Sequence, residues 1–196
     1  MKKISPFHIV IIALCANINI AGSFIALNLK LPVYLDTIGT ILASFLMGTT
    51  YGVMVGIISS LVATIAFDPV SFFFTPAQIV IAIVSGVLYS KNILKGIWIP
   101  VGILAITVSG SLVASIIAAF AFGGITSSGS SYVVAILRSS GVNLFKSVFT
   151  VQIFTDILDK SIAVAAALLS LKWMPKQIIL RLKRTNNPSE IGRSAF

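Results

Sequence analysis

The sequence predicts an all-α membrane protein, a six-transmembrane-helix bundle with both termini cytoplasmic. Three observations point there. Of 196 residues, 57% are hydrophobic and 10% charged, whereas soluble domains carry about 25% charged residues. Too little polar side chain is present to coat a water-soluble globule. The apolar runs continue nearly to the C-terminus, with a mean hydropathy of +1.06, so this is not a soluble domain behind a leader segment. Finally, the cations are unevenly distributed. With six spans, the side holding the termini carries Lys2, Lys3, Lys91, Lys95, Lys172, Lys176, Arg181, Lys183, Arg184 and Arg193, and the other side carries Lys30, Arg138 and Lys146. Excess Lys and Arg mark the cytoplasmic side.

Each span follows from an apolar run and a break, judged against the roughly 20 residues a transmembrane helix needs. The first runs from about Phe7 to Leu29 and ends before Leu31-Pro32. The second, about Val33 to Met47, is short and stops at the Gly48-Thr49-Thr50 turn. The third, about Thr50 to Phe67, breaks at Asp68-Pro69. The fourth, about Thr75 to Ser90, has Pro76 in its first turn, where a missing amide costs nothing. The fifth covers about Ile97 to Phe122 and enters the polar loop FGGITSSGSS. The stretch YVVAILRSSGVN, 132–143, suits a short interfacial helix. The sixth span begins between Gly141 and Ser147 and ends near Lys172. Residues 1–173 thus form the membrane domain. Residues 174–196 form a basic cytoplasmic tail, able to lie along the inner leaflet.

Charge is scarce enough that each acidic residue requires a reason. Asp36 sits where the chain turns into the short second span, as a candidate N-cap. With Thr37 it forms the tip of a segment that re-enters the membrane. Asp156 and Lys160 have the i,i+4 spacing of an ion pair inside the sixth span. The third span carries Gly48, Gly52, Gly56, Ser60 and Thr64 four residues apart, a face suited to close helix packing. Polar residues gather in the connections after the first, third and fifth spans. Together they make a candidate substrate cup of Tyr34, Asp36, Thr37, Phe74, Gln78, Asn143 and Lys146, with Phe72, Phe73 and Tyr132 as further walls.

The chain has no Gly-rich phosphate loop, so it does not itself hydrolyse ATP. With one histidine, His8, and one cysteine, Cys15, it offers no catalytic triad, metal cluster or cofactor site. The net charge of +9 is topological, not a nucleic-acid footprint. Binding or transport is expected, not catalysis.

The stretches LPVYLDTIGTILASFLMGTTYGVMVGIISSL and NLFKSVFTVQIFTDILDK, with the Asp68-Pro69 break between them, resemble the substrate-binding S components of energy-coupling factor (ECF) transporters. The resemblance implies capture of a small vitamin at the extracellular face, gated by the loop after the first helix. It also implies delivery by a membrane coupling subunit and two cytoplasmic ATPases, in the cell membrane. Many S components carry Ala-x-x-x-Ala in the first helix, where the coupling subunit docks. Here the substitutes are Gly22-x-x-x-Ala26 and the Ala13, Asn17, Ala21 face. Among members, the chain is most similar to the pantothenate type, with Lys30, Arg138 or Lys146 as the cation for a ligand carboxylate; cobalamin, riboflavin, a nucleobase and a queuosine precursor are the other ligands the resemblance leaves open. A stand-alone secondary transporter or membrane sensor is the alternative, although no inverted repeat is visible.

Overall fold

A computed structural model describes residues 5–175, 177–179 and 182. The helices are α1 (Pro6–Asn28), α2 (Ile38–Met47), α3 (Thr49–Ala66), α4 (Thr75–Ser90), α5 (Ile99–Phe122), α6 (Ser131–Ser139) and α7 (Leu144–Trp173), with 3-10 turns at Pro69–Phe74 and Gly96–Trp98. A helix occupies each stretch predicted to span, and α6 is the short helix expected after the FGGITSSGSS loop. Pro6, Pro76 and Pro100 lie in first turns, as their missing amides require. Gly48, at φ 98, turns α2 into α3, and Gly123, at φ 59, ends α5.

Among the described residues, four segments are long and apolar enough to cross a membrane: Pro6–Asn28, Thr49–Ala66, Pro69–Ser90 and Gly96–Phe122. The second predicted span needs correction. The residues from Val33 to Thr37 are not helical, and α2 has 10 residues, a rise of about 15 Å against a hydrocarbon layer of about 30 Å. It does not cross a membrane by itself. Every residue from Gly39 to Met47 is buried, and α1, α3, α4 and α7 surround it. A helix apolar on all sides belongs inside a bundle. The 30-residue α7 is long enough, but Asp156, Asp159 and Lys160 interrupt its apolar run.

Close approach to α2 depends on glycine. A Cβ on Gly39 would meet the Cys15 carbonyl, one on Gly52 the Ser44 hydroxyl, and one on Gly56 would lie 3.1 Å from Gln78 Cβ. The small-residue face of α3 therefore packs within the molecule, against α2 and α4. The main core gathers Ile41, Val55, Ile81, Ile106 and Val164 from five helices. Part of the predicted tail joins it, since Leu182 is buried with Ile178 and Ile179 against that core. Lys2, Lys3, Lys176, Arg181, Lys183, Arg184 and Arg193 lie outside the described residues.

Candidate functional site

The loop after α1 turns inward. The Leu35 amide donates to Asp159 Oδ1 at 2.7 Å. Asp159 lies 15 residues beyond Leu144 (159 − 144), about 22 Å along the α7 axis. The predicted re-entry is therefore deep. The loop is tightly held, with Lys30 at φ 49 and Leu35 at φ 52, both in the left-handed region that non-glycine residues rarely adopt. Gly22 of α1 lets the Leu35 carbonyl approach, and Gly129 of the α5–α6 loop packs on the Lys30 carbonyl. Backbone this strained persists only where its surroundings over-determine it, and such segments cluster at ligand clamps and switches.

The loop walls a cavity of about 70 Å³, room for on the order of five water-sized groups. Tyr34, Asp36 and Thr37 come from the loop, Phe74 from the turn before α4, Gln78 from α4 and Asp156 from α7. A neighbouring cavity of about 40 Å³ shares Tyr34, Asp36 and Asp68.

Its walls are cross-braced by hydrogen bonds. On one side Gln78 Nε2 donates to Asp36 Oδ2 at 2.8 Å, and to the Asp36 carbonyl at 3.2 Å. Thr40 Oγ1 donates to Gln78 Oε1 at 3.2 Å. Asn19 Nδ2 donates to Thr40 Oγ1 and Ser59 Oγ, at 2.8 and 3.2 Å, while Asn19 Oδ1 accepts from the Gly39 amide at 2.7 Å. On the other side Asp156 accepts from Ser111 Oγ at 2.6 Å and Gln152 Nε2 at 3.3 Å. Lys160 lies 3.8 Å from Asp156 and 2.6 Å from Asp159. The expected Asp156–Lys160 pair exists, but Asp159 is the closer partner. At the mouth, Asp68 accepts from the Val70 amide, Ser71 Oγ and Ser127 Oγ, tying the α3–α4 connection to the α5–α6 loop.

Five of the seven predicted site residues meet at this cavity: Tyr34, Asp36, Thr37, Phe74 and Gln78. Asn143 and Lys146 do not; both are exposed, and Asn143 caps α7 by accepting from the Phe145 amide at 3.0 Å. Asp36 is not the N-cap of α2. Thr37 holds that position and makes no capping bond through its side chain, because the loop bends Asp36 across to Gln78. Phe72, Phe73 and Tyr132 are exposed. Lys30 donates to the Tyr132 hydroxyl at 3.4 Å and Arg138 to the Gly123 carbonyl at 3.4 Å. Neither lines the cavity. On α1, Ala13, Asn17 and Ala21 face outward beside Leu14 and Ile18, whereas Ala26 is buried and Gly22 is taken up by Leu35.

Sequence reasoning missed Asn19 and Ser59, which line the cavity. The signal for Asn19 was present: an amide in mid-helix, among residues that otherwise avoid polarity, normally has partners. Nothing in the spacing distinguishes it from Asn17, which is exposed.

Among known proteins, the family model described as "ECF transporter, substrate-specific component" matches residues 7–171. No curated protein and no solved structure matches the chain.

Proposed function

Because the chain belongs to the family of substrate-specific components of ECF transporters, we propose that it captures a small polar molecule in the loop-walled cavity and hands it to an ATP-driven partner complex. The observation that carries this reading is Thr37. Its hydroxyl is buried and has no hydrogen-bond partner, in a cavity where Asn19, Asp36, Gln78, Gln152 and Asp156 are cross-braced. An orphaned buried hydroxyl costs about 1–3 kcal/mol, which a ligand can recover. The strained α1–α2 loop is the gate. In the cell membrane the loop end faces outward and the termini face the cytoplasm, as the distribution of Lys and Arg along the chain favours.

The partners are a membrane coupling subunit and two cytoplasmic ATPases. The coupling subunit docks on the outward stripe of α1, Ala13, Asn17 and Ala21, where small side chains admit a close helix. Gly22 and Ala26 are already used internally and drop out. Pantothenate is not carried forward as the ligand. That assignment required Lys30, Arg138 or Lys146 at the ligand carboxylate, and none of them lines the cavity.

Proteoliposomes provide the test. The purified chain alone should show no ATP hydrolysis and no concentrative uptake. Uptake of the molecule that co-purifies with it should appear only with the coupling subunit and ATPases. Energised uptake by the chain alone contradicts the reading and favours a stand-alone secondary carrier.

A further inference from the structure

The charges around the cavity do not balance. Asp36, Asp68 and Asp156 line it, with Lys160 as the one lining ammonium group among the described residues. Lys160 is already engaged, 2.6 Å from Asp159 and 3.8 Å from Asp156. Asp68 is satisfied by three donors at the mouth. In the interior, Asp36, Asp156 and Asp159 therefore face a single ammonium. Asp36 receives a neutral donor, the Gln78 amide. Unpaired carboxylate charge away from water is costly and seeks a partner.

Two independent features beside this excess point to a ligand. The Thr37 hydroxyl lines the same cavity, 1% exposed and without a partner. Tyr34 and Phe74 add aromatic rings to the same wall, and ring faces attract cations. A carboxylate ligand would meet this excess of negative charge with no free cation among the described lining residues to receive it.

Resting on the capture reading above, we propose that the cavity selects a small organic cation, a ligand whose positively charged nitrogen is held by Asp36 and the aromatic wall. The charged pole completes the interior ion cluster, and a hydroxyl or ring nitrogen on the ligand reaches Thr37. Selection is electrostatic: an anion of the same shape is rejected by the carboxylates, and a neutral analogue leaves Asp36 without its counter-charge.

An isosteric series of four-heavy-atom probes, small enough for the cavity, tests this on the full chain in detergent: acetamidinium, acetamide and acetate at neutral pH, with affinity read by calorimetry and by thermal shift. Acetamidinium is expected to bind about ten- to a hundredfold more tightly than acetamide, the range of a charge-assisted hydrogen bond, and acetate not at all. Asp36→Asn should bring acetamidinium down to the level of acetamide. Acetate binding as well as acetamidinium, or no binding of acetamidinium, overturns the proposal. Native mass spectrometry of the purified chain supplies a second readout. A retained cation supports the charge proposal. A retained anion or neutral molecule overturns it but leaves the capture function standing, and a chain that retains no molecule and binds none of the series loses both.

Discussion

Lys160→Met is expected to destabilise the protein by about 3–5 kcal/mol, the usual cost of removing one partner from a buried ion pair. Lys160, Asp156 and Asp159 are all nearly inaccessible to solvent. Met fills most of the lost volume, so the penalty reports charge and not a cavity. Without the ammonium, Asp159 keeps the Leu35 amide and Asp156 keeps Ser111 and Gln152, and neither has a cation. Adding Asp159→Asn should restore part of the loss, since the orphaned charge is then gone while the side-chain oxygen still accepts from Leu35. Unfolding midpoints in a fixed detergent would measure both variants. A silent Lys160→Met would show that the carboxylates are not ionised in the fold, and would remove the electrostatic basis for ligand selection.

Asn19→Ala is the second large effect, expected at about 1–3 kcal/mol for the orphaned Gly39 amide alone. The Gly39 amide sits in the first turn of α2, where no helical carbonyl serves it, and Asn19 Oδ1 accepts from it across the α1–α2 contact. The same side chain donates to Thr40 and Ser59, so it pins three helices beside the cavity. The loss should therefore extend to ligand affinity, because Thr40 positions Gln78 and Gln78 holds Asp36. Asn17→Ala, two residues away on the outward face, is the control, and its unfolding midpoint should not move. Equal effects of the two substitutions would contradict the assignment of Asn19 as a structural hub.

The helical positions were legible because proline, glycine and apolar run length act locally. Gly48, Pro69, Pro76 and the glycines of FGGITSSGSS mark their breaks whatever the rest of the chain does. The inward dip of the loop was legible too, since Asp36-Thr37 follows a proline and leads into a helix too short to span. What Asp36 does was not. A carboxylate ahead of a helix reads as a cap, and only the packing of α4 against the loop turns it toward Gln78. Asn143 and Lys146 misled for a related reason: both stand near the start of α7, but the polar wall of the cavity comes from Gln152, Asp156 and Lys160, two to four turns further along. The i,i+4 spacing of Asp156 and Lys160 identified a pair, whereas the closer partnership with Asp159 depends on how α7 meets the loop. Spacing along one helix carries no information about a loop arriving from another.

The cavity itself is the centre of the account, and filling it tests that most directly. Ala114 lines the cavity from α5 and is almost fully buried. Ala114→Leu introduces three carbons where the ligand would lie, at a cost of about 1–3 kcal/mol if the wall must shift. Wild-type and variant chains, purified in the same detergent and brought to native mass spectrometry with folding checked by unfolding midpoint, should differ in one respect: the wild type carries a bound small molecule and the folded variant does not. A folded Ala114→Leu chain holding the same molecule at the same occupancy would place the site elsewhere and contradict the account.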